Sequence, residues 1–220
     1  MCNEAARRIA LGQLRDDWSQ LKVPLVFPEG LPNLGVQDSI RITDTALILR
    51  AAPDSSGSPQ DTALRGGSIA GTTRRWSWPG QGGRPVYNYR SEGRPFANTA
   101  TSGRCLIPVD GFFEFTAPPA GAHKSTKKTK WRFAAPPGSP IAIGHAEPWF
   151  CIAGFWRADA AVGEAWTMLT GEPGPDVAPY HYRQVMLPRR EHWAGWLDGS
   201  LPANEVLGPA AAGSLVALQV

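Results

Sequence analysis

Leu11, Leu14, Trp18 and Leu21 recur at helical spacing between Ala5 and Lys22, and Pro24 follows them. That spacing predicts an amphipathic helix packed on the body of the protein, with the proline as its stop. Beyond residue 45 the pattern changes to short apolar runs separated by turn residues. Ala46–Arg50, Arg74–Trp78, Cys105–Phe115, Trp131–Ala134, Trp149–Arg157, Ala165–Thr170 and Val185–Leu187 read as strands. Asp110-Gly111 marks a turn or bulge inside the longest of them. Asn88 and Arg90 alternate on a further strand, so their side chains face the same way. Arg190–Leu197 reads as a short helix and Ser214–Val220 as an edge strand. Ala51–Gly67 and the basic stretch Pro118–Lys130, with Lys124, Lys127, Lys128 and Lys130, read as exposed loops. Many short strands, few helices and no βαβ alternation predict one α+β domain over residues 1–220. Its core is mainly antiparallel and barrel-like, with peripheral helices.

Composition narrows this picture a little. At 220 residues, 42% hydrophobic and 19% charged, the chain is that of a globular protein able to bury a core. Lys plus Arg exceeds Asp plus Glu by 22 − 19 = 3, a mild basicity that permits a nucleic-acid partner without demanding one. Nine tryptophans exceed ordinary usage, and flat aromatics suit base stacking as well as cores. The three cysteines, Cys2, Cys105 and Cys151, include no C-x-x-C pair, which disfavours zinc and redox-pair chemistry. Free thiols, with Glu4, Arg7 and Arg8 in place of an apolar leader, predict a cytoplasmic protein. No stretch has the apolar length to span a membrane.

The candidate chemistry starts at Met1-Cys2. Cysteine is small enough to follow a methionine that aminopeptidases remove, and removal leaves Cys2 with a free α-amine beside its thiol. Such an aminothiol condenses with an aldehyde to an imine, and the sulfur then closes a thiazolidine ring. Reference pKa values of about 7.7–8.0 for the amine and about 8.5 for the thiol leave both nucleophiles available near neutrality. Glu114 lies among aromatics in Phe112-Phe113-Glu114-Phe115, where a cleft wall would raise its pKa into a general acid–base range. The competing reading of Glu114 is a solvent-facing carboxylate. His181 sits on a loop just before an apolar strand, where a histidine is often simply exposed and function is the competing reading. Asn88 and Arg90 together suit a clamp for sugar and phosphate, or an ordinary edge strand. His123, His145 and His192 lack ligand-like spacing, and neither a metal nor a cofactor is expected. Cys105 and Cys151 read as buried thiols.

In order along the chain, Met1-Cys2-Asn3, Arg75-Trp76, Asn88-x-Arg90, Arg104–Pro108, Gly111–Phe115, Ala153–Trp156 and Leu169-Thr170 followed by Pro179-Tyr180-His181 resemble one family. It is the SRAP family, named for SOS response-associated peptidase, whose members shield abasic sites in single-stranded DNA. The resemblance runs from residue 1 to about residue 197. It implies a β-rich fold and a covalent thiazolidine link from Cys2 to the C1′ aldehyde of an abasic site, formed by a monomer located in the cytoplasm or on the nucleoid. Asn88, Glu114 and His181 are the implied partners of Cys2: Asn88 holds it and the lesion, Glu114 shuttles protons, and His181 assists opening of the sugar ring. Asn3, Trp76, Arg90, Thr170 and Arg183 are the implied DNA contacts, with Arg90 and Arg183 on phosphates. The sequence departs from the family pattern at Glu4, where many members place Arg, and in Pro79–Gly83, which lacks a paired tryptophan. Residues 182–187 are about one residue short, and Ile141–Glu147 reads as a small insertion. Two rival functions remain: a cysteine peptidase with autocatalytic processing, and a non-covalent reader of modified or single-stranded DNA.

Overall fold

The first element of the chain is a strand, not the start of a helix. The structure, a computed structural model, describes residues 2–52, 67–121, 123, 125–144 and 146–220. Glu4–Arg7 is extended and wholly buried, lying between the strands Gly111–Thr116 and Gln37–Arg41. Alanines at positions 5 and 6 let neighbouring strands close over both faces. Arg7 is tolerated inside because its guanidinium donates to the carbonyls of Ile9 (2.6 Å) and Gly35 (2.5 Å). The expected helix is therefore shorter than its apolar spacing predicts. It spans Leu11–Ser19 and buries Leu14 and Trp18.

The predicted strands form, and five of them close on themselves. Trp149–Asp159 pairs antiparallel with Ser102–Val109, which pairs antiparallel with Thr45–Ala51. Thr45–Ala51 pairs antiparallel with Ile69–Trp76, which runs parallel to Gly163–Gly171. Gly163–Gly171 then returns antiparallel to Trp149–Asp159. This closed path is the barrel, and closure removes the exposed edges that an open sheet would carry. Alternating residues divide its apolar side chains between two clusters. Ile48, Ile107, Ile152, Trp166 and Met168 pack on the side that also holds Cys2, Phe112 and Phe133. Leu47, Leu49, Leu106, Cys151 and Leu169 pack with Trp18, Trp193 and Trp196 of the peripheral helices. Both faces are buried, which explains why these strands read as continuous apolar runs.

A second sheet has the order Val216–Gln219, Thr129–Ala134, Gly111–Thr116, Glu4–Arg7, Gln37–Arg41. The Asp110-Gly111 signal is the point where one long apolar run leaves the barrel and enters this sheet. Asp110 fixes the corner. Its carboxylate accepts from Arg132 Nη2 (2.7 Å) and from the backbone N–H of Arg8, and Arg132 also donates to its carbonyl (2.9 Å).

The C-terminal edge strand and the short helix are as predicted, the latter as one turn of 3-10 helix, Arg190–His192, followed by Trp193–Asp198. Eight of the nine tryptophans are buried, so their surplus serves the core and not base stacking. Most of the predicted loop Ala51–Gly67, together with Met1, Lys124 and His145, lies outside the described residues.

Candidate active site

Pairing of Ala5 with Phe112 and Ala6 with Gly111 runs the N-terminus antiparallel along Gly111–Thr116 and carries Cys2 to Phe113 and Glu114. Cys2 is buried, and its Sγ donates to the carbonyl of Glu4 at 3.3 Å. Burial first, and the Glu114 charge second, push the thiol well above its ordinary range; backbone hydrogen bonds from Glu4 and Phe113 offset part of this. The sulfur therefore rests as a thiol and not as a thiolate. Glu114 has only 1% of its surface exposed. Desolvation raises its pKa to about 7, although a hydrogen bond from the Cys2 backbone N–H pulls the other way. That bond joins the carboxylate to the nitrogen that would become the α-amine once Met1 is removed.

Two more residues close on this pair from the barrel. Asn88 belongs to the strand Asn88–Arg90, which runs parallel to Gly163–Gly171 with Asn88 opposite Met168. Its Nδ2 donates to the carbonyl of Cys2 at 2.7 Å. His181 ends the turn that follows Pro179, and its Nε2 lies 4.0 Å from Glu114 Oε2. Burial lowers its pKa, and the positive charges of Arg183 and Lys128 add to the effect against a backbone hydrogen bond with Arg183 that raises it. The backbone N–H and carbonyl of Arg183 lie 3.0 Å and 2.9 Å from Nδ1, which leaves Nε2 as the ring atom directed at the carboxylate. Cys2, Asn88, Glu114 and His181 thus meet in one place, although 179 residues (181 − 2) separate the first from the last.

A family model for SRAP, SOS response associated peptidase, matches residues 31–220. The chain belongs to the SRAP family. The match begins after Cys2, which the geometry above places beside Asn88, Glu114 and His181 within the matched span. Two solved structures share the fold. A phage-related protein from Bordetella bronchiseptica has a TM-score of 0.65 at 17% identity, covering 100% of this chain and 94% of its own. A protein from Bacteroides thetaiotaomicron has a TM-score of 0.66 at 15% identity, covering 100% and 92%. No curated protein matches the chain.

The residues expected on DNA divide into two groups. Asn3 and Arg90 are exposed near the site. Trp76 is buried, stacked on Trp166 with centroids 5.2 Å apart, and donates its indole N–H to the Tyr87 carbonyl, so the ring has no face to offer a base. Thr170 is buried too, and the guanidinium of Arg183 is held by Glu92 and by the Thr170 carbonyl. Glu4, the departure from the family pattern, forms an ion pair with Lys130 at 2.8 Å and accepts from Ser39 at 2.7 Å. Sequence reasoning missed Tyr182. It is 74% exposed and stacks on His181 with centroids 4.6 Å apart, presenting a flat aromatic face beside the reactive cluster. Its only signal in the sequence is its place between His181 and Arg183. Among the described residues no helix is long and apolar enough to cross a membrane.

Proposed function

We propose that the protein, once Met1 is removed, joins itself covalently to abasic sites in single-stranded DNA through Cys2. The observation that carries this reading is the Glu114 carboxylate hydrogen-bonded to the Cys2 nitrogen, with a raised pKa and an imidazole 4.0 Å away. The α-amine adds to the C1′ aldehyde of the open-chain sugar, forming a C–N bond and a carbinolamine. Glu114 in its acid form protonates the departing hydroxyl, water leaves, and an iminium remains. The Cys2 sulfur then attacks that carbon and passes its proton to Glu114, which regenerates the acid. The net change is one thiazolidine formed and one water lost. A carboxyl with a pKa near 7 gives and takes protons equally well at neutral pH, which both half-reactions require. His181 exchanges protons with the sugar oxygen as the ring opens, Asn88 holds the backbone of Cys2, and the exposed face of Tyr182 suits stacking by a base beside the lesion.

Burial of the thiol weighs against the peptidase alternative, which needs a thiolate as its first nucleophile. In the proposed chemistry the amine attacks first, and the sulfur needs only to meet an iminium already formed. The test uses Met1-processed protein and single-stranded oligonucleotides with and without an abasic site, resolved on a denaturing gel. A heat-stable band that requires the lesion and is lost in Cys2→Ala is expected. Retardation on a native gel alone would favour a non-covalent reader, and cleavage of peptides would favour a peptidase.

A further inference from the structure

Trp131 is the one tryptophan of the nine that the core leaves partly exposed, and it stands directly across from Glu114 on the neighbouring strand. Residues opposite one another in an antiparallel pair project from the same face. The indole and the carboxylate therefore share the face that also carries the paired rings of Phe112 and Phe133, stacked at 5.1 Å. The indole N–H donates to Thr116 Oγ1 at 3.0 Å, which fixes the ring along the strand that bears Glu114. Tyr180 packs into the notch between Trp131 and Phe133. Its ring centroid is 4.7 Å from that of Trp131 and 5.3 Å from that of Phe133, the latter edge to face. The next residue is His181, with Nε2 at 4.0 Å from Glu114 Oε2. Backbone bonds from the N–H groups of Tyr180 and His181 to the Val177 carbonyl, at 2.9 Å and 3.0 Å, close the turn upon itself and do not tie it to the sheet. The tie to the sheet is aromatic packing, and rigid rings with two side-chain torsions each hold such a seat firmly. An indole at the rim of a site could instead serve as a platform for a base. Here one side is taken by Tyr180 and the N–H by Thr116, while the exposed ring is that of Tyr182.

We propose that Trp131, with Phe133 beside it, is a positioning residue that seats Tyr180 and so holds the adjoining His181 against Glu114. The effect on rate rests on the covalent reading, whereas the placement of His181 is measured without it. Three quantities decide it for the full, Met1-processed chain. Single-turnover crosslinking across a range of abasic oligonucleotide concentrations gives a maximal rate and a half-saturating concentration, and NMR gives the titration of the His181 imidazole without DNA. Trp131→Leu keeps an apolar side chain and loses the ring. Its maximal rate should fall on the order of tenfold, the scale of loss when a reacting group is misplaced from a distance. Its half-saturating concentration should stay within about twofold of wild type, because ground-state binding is untouched. The His181 titration should move upward, toward the ordinary histidine range, as the imidazole is released to solvent. Trp131→Phe keeps a flat ring against Tyr180 and should recover most of the rate and the wild-type titration. Tyr180→Leu should repeat the Trp131→Leu behaviour from the other side of the contact, and Tyr180→Phe should match wild type. The Trp131→Leu, Tyr180→Leu double variant should be no slower than either single one, since both remove the same contact.

A folded Trp131→Leu protein whose His181 titrates as in wild type overturns the proposal, whatever its rate. So does a raised half-saturating concentration with an unchanged maximal rate, since Trp131 would then be a contact for the DNA. Losses that add in the double variant also overturn it, because the two rings would then act separately. Where Trp131→Leu does not fold, Tyr180→Leu, changed on the turn, decides by the same three quantities. A wild-type protein that never crosslinks defeats the covalent reading, and the titration still decides the placement of His181.

Discussion

Glu114 is a carboxyl whose charge the fold resists. Its pKa is raised by burial to about 7, so the native state holds the proton more tightly than the unfolded chain does. The stability this contributes is complete below the ordinary carboxyl value and is lost as pH rises through about 7. Glu114→Gln should therefore match wild type at about pH 4 and exceed it at about pH 8, by up to roughly 3 kcal/mol. Urea unfolding at the two pH values checks this, and an equal difference at both would contradict it. Tyr182 is the other side chain whose part can be measured alone. Tyr182→Ala should weaken binding of single-stranded DNA by about 1–3 kcal/mol in a fluorescence titration, while Tyr182→Trp should keep it. The four residues at the site were legible through the order of short motifs along the chain, because strand alternation and loop position leave Glu114 and His181 ambiguous. Glu92 was not legible: its partner Arg183 lies 91 residues away, and nothing local distinguishes a half-exposed glutamate that clamps an arginine from one that is merely solvated.

Between elements, the corner at Asp110 connects the barrel to the sheet that bears the site. The run Cys105–Phe115 reads as one strand with an interruption, and that is nearly correct. What the sequence does not display is that its two halves belong to different sheets. Asp110 and Arg132 are largely buried as an ion pair, so Asp110→Ala leaves a guanidinium without its carboxylate. Roughly 3 kcal/mol of stability should be lost in chemical denaturation. Crosslinking should slow as well, because Glu114 lies four residues beyond the corner. A loss no larger than that of a typical surface ion pair would show that the corner does not depend on Asp110. The strand Glu4–Arg7 was missed for a related reason. Four residues are too few to display a period of two, and the sequence Glu-Ala-Ala-Arg looks helical until partners at Lys130, Ser39 and Gly35 satisfy its polar ends.

For the molecule as a whole, the second sheet carries residue 2, and the turn that follows a barrel strand carries residue 181, to one place. Apolar runs were enough to predict a barrel-like core, since strands buried on both faces carry no polar alternation. Ring closure itself arises from long-range pairings such as Leu49 with Leu106 and Ala165 with Arg75, which no local pattern records. Gly154 occupies a tight point in this wall. A Cβ there would lie 2.5 Å from Ile107 Cδ1 and 2.9 Å from both Cys105 Sγ and the Thr167 carbonyl. Gly154→Ala should cost about 1–3 kcal/mol in thermal or urea unfolding, and a neutral substitution would mean that the wall yields more readily than its packing implies. The central claim concerns one bond, and mass spectrometry tests it directly. Protein incubated with an abasic oligonucleotide is trimmed with nuclease and protease, and the N-terminal peptide is fragmented. The account predicts a peptide that begins at Cys2 and carries the sugar remnant on that residue, with a mass equal to the two parts less one water. A remnant on a lysine, or an N-terminal peptide that still begins with Met1 in crosslinking-competent protein, would contradict it.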